Sequence, residues 1–210
     1  MPSTKAHAKP PLALPLTDRF DRALAYATHV HGGQVRKGTS VPYVAHLLAV
    51  AATVLEYGGD EEMAIGALLH DAAEDQGGSA RLADIRNRFG ERVARFVGAC
   101  SDSLANTAAG EKRAGWRERK EAYLAHLPTR DPEILLISLS DKVHNARSIL
   151  RDLRKEEVGG KVWSRFSASR EETIWYYKKL AETFQRVLPG QLSDELAEIA
   201  DALEKEPGRG

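Results

Sequence analysis

Within the stretch 64–75, Ala-Ile-Gly-Ala-Leu-Leu-His-Asp-Ala-Ala-Glu-Asp, six apolar residues run directly into one imidazole and three carboxylates. In a helix, at 100° per residue, His70, Asp71, Glu74 and Asp75 fall at roughly 0°, 100°, 40° and 140° around the axis, one sector of one face. An ionised carboxylate at the edge of a core is costly unless it is paired or bound to a metal. The cluster therefore reads either as a site for metal or proton chemistry or as a solvated helix end with a core histidine beside it. Two other positions invite the first reading. His46 lies one turn inside a helix that Pro42 can open, and Asp141 belongs to a polar stripe, with Ser138, Asn145 and Lys142, on a helix whose other side is Leu135, Leu136, Leu139, Val143 and Ile149. Imidazoles and carboxylates drawn from three helices suit Mn²⁺, Fe²⁺ or Zn²⁺.

The elements that must position these groups are helical throughout. Thr17 can cap a first helix carrying Phe20, Ala23, Leu24, Ala27 and Val30, ended by Gly32-Gly33. A second runs from Pro42 to Leu55, and Asp60 caps the third, the central one, followed by Gly77-Gly78. Ser79 caps a fourth, Arg81 to Phe89, and Gly90 separates it from an apolar fifth, 93–100. Residues 101–110 read as loop, and 111–127 as a charged helix whose basic cluster, Lys112, Arg113, Arg117, Arg119 and Lys120, reads as a solvated face. Asp131-Pro132 starts the helix that carries Asp141. Ser169 with Glu172 makes a capping box for another, through Val187, and Ser193 opens a last one to about Glu204. No segment alternates with period two for long, so the class is all-α.

The 210 residues suffice for one domain, read as 17–205, with a proline-rich amino-terminal tail over 1–16 and a short carboxy-terminal tail over 206–210. Thirty basic residues balance thirty acidic ones, which argues against nucleic acid or an anionic membrane as partner and makes any phosphate affinity local. One cysteine, Cys100, excludes an internal disulfide framework and a cysteine-based zinc site, and its apolar surroundings read as burial. The sequence offers neither a signal peptide nor a membrane span, so the expectation is a cytoplasmic protein.

Four stretches in order, Val-Arg-Lys-Gly-Thr-Ser-Val-Pro-Tyr-Val-Ala-His (35–46), Ala-Leu-Leu-His-Asp-Ala-Ala-Glu-Asp (67–75), Phe-Gly (89–90) and Ser-Asp-Lys-Val-His-Asn-Ala-Arg (140–147), resemble the motifs of HD-domain phosphohydrolases. More narrowly they are similar to the hydrolase domain of RelA/SpoT-type alarmone enzymes and their stand-alone small hydrolases, over about residues 18–187. The resemblance implies a single helical bundle of about eight helices. It makes His46, His70, Asp71 and Asp141 the ligands of one divalent ion, usually Mn²⁺ with Fe²⁺ or Zn²⁺ as alternatives, and Glu74 and Asp75 the carboxylates that handle the attacking water. Arg36, Lys37, Asn145 and Tyr176 match substrate-contacting positions. The implied reaction removes the 3′-pyrophosphate of guanosine tetra- or pentaphosphate, with the adenine counterparts as further substrates. The chain departs from the family pattern at Ser138, where lysine is common, and at Gln76-Gly77-Gly78, where threonine often follows the Glu-Asp pair. Both changes are expected to fall on the pocket wall.

From residue chemistry alone, Arg36 and Lys37 read equally as phosphate ligands or as an exposed basic loop, and Tyr176 as a stacking partner or a core residue between Trp175 and Tyr177. His29, His31 and His144 read as structural or supporting groups. The competing functions are another HD reaction, a 5′-nucleotidase or a phosphatase acting on NADPH, and a non-catalytic nucleotide-binding module.

Overall fold

Capping explains where most helices begin. Thr17 accepts from the Arg19 amide and so caps α1 (Asp18–Val30), while its own amide and hydroxyl both reach Glu61 Oε1, at 2.5 and 2.8 Å. Asp60 accepts from the Met63 amide at 2.9 Å and caps α3 (Glu61–Leu69). Between them α2 (Val44–Glu56) starts two residues after Pro42, whose carbonyl receives the Ala45 amide. The computed structural model describes residues 16–101 and 114–207. The tail over 1–15, the loop expected at 102–110 and the first residues of the charged helix therefore lie outside the described residues.

The central stretch departs from one continuous helix. α3 stops at Leu69, His70 and Asp71 form a turn, and Ala72–Asp75 makes a separate single-turn α4. The physical cause lies in the side chains. His70 Nδ1 takes the Ala67 carbonyl at 2.8 Å, and Asp71 is pulled to the Tyr43 hydroxyl at 2.7 Å and to His70 Nε2 at 3.0 Å. The sector expected for a straight helix thus becomes two groups on a turn and two on the next helix. Gly77, at φ +117°, then redirects the chain, and α5 (Gly78–Phe89) begins there rather than behind Ser79.

α6 (Glu91–Cys100) packs tightly on α3: a Cβ on Gly66 would stand 3.0 Å from Phe96 Cβ and Cδ2. α7 (Trp116–His126) leads through a short 3-10 turn to α8 (Pro132–Leu153), 22 residues and about 33 Å long. A longer 3-10 stretch, Gly159–Arg165, separates α8 from α9 (Arg170–Val187), whose Ser169–Glu172 capping box forms as expected. α10 (Gln191–Lys205) begins two residues before Ser193, because the Ser193 hydroxyl sits one turn in and accepts the Gly190 amide at 3.0 Å. Among the described residues the fold is all-α with ten helices, one of them created by the break at His70, and the sole extended pairing is an isolated bridge of Val35 with Pro42. No helix among them is long and apolar enough to cross a membrane.

Two hydrophobic cores share α8. Ile134 and Ile137 join the core built by α1 to α6, whereas Leu135, Leu139, Val143, Ala146 and Ile149 join the core of α7, α9 and α10; Leu136 touches both. An ion-pair network ties the amino-terminal ends of α3 and α8 to α6. Arg92 holds Asp60 at 2.8 Å, Glu62 at 2.9 Å and Glu133 at 2.6 Å, and Arg19 adds a second contact to Glu62 at 2.9 Å.

Burial opposes the charge of Asp60, but Arg92 and the Met63 amide outweigh it; Arg92 and Arg19 do the same for Glu62. Both carboxyls sit below their ordinary values. Their contribution is then present above the unfolded carboxyl range, about 4, and is lost as pH falls through the lowered folded values. Arg92→Met should cost roughly 1–2 kcal/mol at pH 7, since every partner keeps some water. It should also flatten the fall in stability between pH 5 and pH 3. Urea melts of both proteins across that range check both statements, and parallel curves would remove the network from the acid response.

Candidate functional site

His46, on the first turn of α2, is 1 % exposed, His70, at the end of α3, is 2 % and Asp141, in the middle of α8, is 6 %. Their ligand atoms lie within 4.8 Å of one another, where the two cores meet across α8. Asp141 Oδ1 is 3.2 Å from His46 Nε2 and 3.6 Å from His70 Nε2, and Asp71 Oδ2 is 3.5 and 3.0 Å from the same nitrogens. Four donor atoms from two helices and the turn between α3 and α4 therefore face a common point. Atoms that each sit about 2.1 Å from one ion stand roughly 3–4 Å apart, which is the spacing found.

The donor set fits a divalent cation on a second ground. The Nε2 atoms of His46 and His70 are both buried and neither makes a hydrogen bond, an arrangement that costs free energy unless something else takes the lone pairs. The Nδ1 contact of His70 fixes its tautomer. His70 Nδ1 donates to the Ala67 carbonyl, which leaves Nε2 as the free lone pair. His46 Nδ1 lies 2.7 Å from His144 Nδ1. Burial, the neighbouring His46 and Arg36 bring His144 down to about 3, so its ring is neutral. In the absence of a cation, burial disfavours charge on His70, but Asp71 and Asp141 overcome it and raise its pKa well above the ordinary value. Burial likewise opposes the two carboxylates, and His70 and His46 for Asp71, and Lys142 and His46 for Asp141, hold both well below theirs. The pair of carboxylates calls for a positive charge between the rings, and a metal supplies it where His70 otherwise holds a proton.

A polar chain links the two carboxylates around the outside. Asn145 Nδ2 donates to Asp141 Oδ1 at 2.5 Å, and Asn145 Oδ1 accepts from Arg36 at 2.6 Å. The Arg36 guanidinium lies 5.7 Å over the Tyr43 ring, whose hydroxyl donates to Asp71. Lys142 holds the other oxygen of Asp141 at 2.7 Å.

Beside this cluster, with His46 the one of the four residues in its lining, a cleft of about 570 Å³ lies between the loop before α2 and the helices α7, α8 and α9. Its lining includes six cations, Arg36, Lys37, Lys120, Lys142, Arg151 and Arg165, against the single carboxylate of Asp152. In a chain of zero net charge the positive field is thus concentrated at one place. Asn145 and Tyr176 stand on the same walls, Tyr176 with the Trp116 ring edge-on at 5.9 Å and Lys120 at 5.0 Å over its face.

The residues singled out from sequence divide as follows. His46, His70, Asp71 and Asp141 come together, and Arg36, Lys37, Asn145 and Tyr176 line the adjoining cleft. Glu74 is half-buried and Asp75 exposed, and neither lines it; Asp75 accepts from Gln34 at 2.9 Å. Gln34 also meets His31 Nδ1 at 2.7 Å and Gln76 at 3.2 Å. Ser138 is 2 % exposed against Cys100 Sγ at 3.7 Å, and Gln76, Gly77 and Gly78 are likewise absent from the lining, so the departures fall away from the pocket wall. Lys120 is a correction to the solvated reading of its cluster. With Trp116 one turn before it, it faces the cleft, a pairing that the i, i+4 spacing of the two residues carried. Tyr43 and Gln34 were missed because a loop has no period against which a polar or aromatic residue stands out.

The profile of the HD domain matches residues 23–174. The guanosine-3′,5′-bis(diphosphate) 3′-pyrophosphohydrolase of Aquifex aeolicus is 33% identical over 143 residues, 67% of this chain and 19% of that protein. The GTP pyrophosphokinase of Streptomyces coelicolor is 31% identical over 185 residues, 88% and 20%. The chain spans about a fifth of the length of these curated relatives. Among solved structures, a metazoan ortholog of SpoT that hydrolyzes ppGpp superposes with a TM-score of 0.71 at 24% identity, covering 89% of this chain and 96% of that one. The protein lmo0812 from Listeria monocytogenes follows at 0.61 and 29%, covering 74% and 96%. Since the matched region spans most of the chain and contains all four clustered side chains, the chain belongs to the HD domain family.

Proposed function

We propose that this chain is a metal-dependent (p)ppGpp 3′-pyrophosphohydrolase that also accepts the adenine counterparts. One observation carries the reading: a cleft lined by six cations shares His46 with a buried His-His-Asp cluster. A cleft of that size takes a nucleotide, and that charge suits one with phosphates at both its 3′ and 5′ ends. The names of the pyrophosphohydrolase relatives support the same substrate.

The ligands are His46, His70, Asp71 and Asp141, and the ion is Mn²⁺, with Fe²⁺ or Zn²⁺ compatible with the same donors. When bound, such an ion acidifies water and draws charge from a phosphoryl oxygen. The chain's own groups do the rest. Arg36 and Lys37 hold phosphate oxygens, Arg36 already oriented by Asn145 and Tyr43. Tyr176, fixed by Trp116, offers its face to the nucleoside. Glu74 and Asp75 take the proton of the attacking water, with Asp75 oriented by Gln34. The water oxygen joins the 3′-bound phosphorus, the bond from that phosphorus to the ribose 3′ oxygen breaks, and a proton ends on that oxygen.

Three measurements test this. With Mn²⁺, guanosine 3′,5′-bis(diphosphate) should yield pyrophosphate and the 5′-diphosphate. Orthophosphate from a monophosphate or from NADPH would favour the rival HD reactions, and binding without turnover a non-catalytic module. Asp141→Ala should keep its helical circular dichroism yet lose most of the roughly one equivalent of metal found by elemental analysis; unchanged metal would remove Asp141 from the ligand set. Glu74→Gln and Asp75→Asn should retain metal and lose about 10²-fold in kcat, about 2.7 kcal/mol, with KM little changed. The double variant should fall little below the worse single one. Wild-type turnover in both would end their role in proton transfer.

A further inference from the structure

The turn that carries Arg36 and Lys37 closes on its own bonds, Arg36 N to Val41 O at 2.8 Å and Thr39 N to Arg36 O at 2.9 Å, with Gly38 at φ +70°. What it rests on comes from the other half of the molecule. A Cβ at Gly38 would stand 2.6 Å from both Cγ and Cδ of Arg165, so the methylene stem of Arg165 lies against the Gly38 Cα. Arg165 ends the 3-10 stretch whose Val162, 1 % exposed, is fixed in the core of α7, α9 and α10. Its guanidinium reaches Asp152 Oδ2 at 2.6 Å, and Asp152, 5 % exposed on α8, takes Lys155 on its other oxygen at 2.9 Å.

We infer that Arg165 is a positioning residue: its stem seats the 36–39 turn, and its ion pair with Asp152 holds that stem extended, which sets where Arg36 and Lys37 stand relative to the metal cluster. A guanidinium committed to a buried carboxylate is poorly placed to grip a phosphate, because leaving would strip one Asp152 oxygen of its partner and leave Lys155 alone on the other. Lysine keeps stem and charge, methionine keeps the stem without the anchor, and any side chain at position 38 displaces the seat. What the turn does for a ligand rests on the proposed function, but the seating itself does not.

The test begins without any nucleotide. In Arg165→Met and in Asp152→Asn, the amides of Arg36 and Thr39 should exchange with solvent about tenfold faster, while core amides of α3 and α8 stay as in the wild type. Each variant should keep its metal and raise KM for guanosine 3′,5′-bis(diphosphate) about tenfold with kcat changed less than about threefold, and Arg165→Lys should restore KM to within about threefold. Combined with Arg36→Ala, Arg165→Met should add almost nothing. Unchanged exchange in the turn overturns the inference, and so do losses at 36 and 165 that multiply, which would mean that Arg165 meets the nucleotide itself. If the wild-type protein turns over no nucleotide, the proposed function falls, and the exchange measurement decides the seating alone. If Arg165→Met fails to fold, Asp152→Asn, which keeps the stem, carries both readouts.

Discussion

A carboxylate placed between two hydrophobic cores fixes most of this architecture. Asp141 sits near the middle of α8, 6 % exposed, and an ion in such a place costs several kcal/mol unless its lone pairs are met. Lys142 and Asn145 meet them from its own helix, and His46 and His70 face it from α2 and α3. Because each residue turns the helix by 100°, rotating α8 by even one position would drive the charge into one core or the other. The charge therefore sets the azimuth of α8. That azimuth decides that Ile134 and Ile137 serve the amino-terminal core while Leu139, Val143 and Ala146 serve the carboxy-terminal one.

The same economy appears around the site. Asp141, Asn145, Arg36, Tyr43 and Asp71 form one connected path from carboxylate to carboxylate, so Arg36 on the wall of the cleft also holds Asn145, which holds Asp141. Supporting bonds of this kind fix ring orientation and ligand basicity. They also couple the two halves of the chain, since Arg36 comes from the first and Asn145 from the helix shared by both. Charge follows the same division: acidic partners neutralise Arg92 and Arg95 at the far end, while the six cations of the cleft meet the two carboxylates of Asp141 and Asp152.

Helix by helix, the sequence was legible where a cap and a 3.6-residue period agree, as at Thr17, Asp60 and Ser169 with Glu172. It was less so where long-range bonds override local preference. The break after Leu69 is made by Ala67, Tyr43 and Asp71 acting on side chains, none of which alters the apolar pattern. His70, Asp71 and Asp141 stood out as polar groups beside apolar helical runs, but spacing alone did not bring them together with His46; the resemblance to HD-domain phosphohydrolases joined the four into one set. Gln34, Tyr43 and Arg165 did not stand out, since residues of turns acquire meaning only from what the fold sets beside them. Lys120 was misread for a related reason: a charged helix shows its burial in one or two faces, and Trp116 with Lys120 marks the face turned to the cleft.

The departures from the family pattern fall away from the walls of the cleft. Ser138 lies one turn before Asp141 but points to Cys100, where burial lifts the thiol above its ordinary pKa and keeps it a neutral neighbour. A small hydroxyl there removes a long cation from the interior behind the metal cluster, leaving Lys142 as the ammonium that holds Asp141. At the other departure, Gln76 does work that a threonine is too short to do. Its amide reaches Gln34 Oε1, and the Gln34 amide in turn holds Asp75. Gly77, at φ +117°, lets the chain turn away at once so that this reach is not blocked by a continuing helix. Gln76 and Gly77 thus act together, in a glutamine relay that orients Asp75 from the loop side through a bond between distant segments.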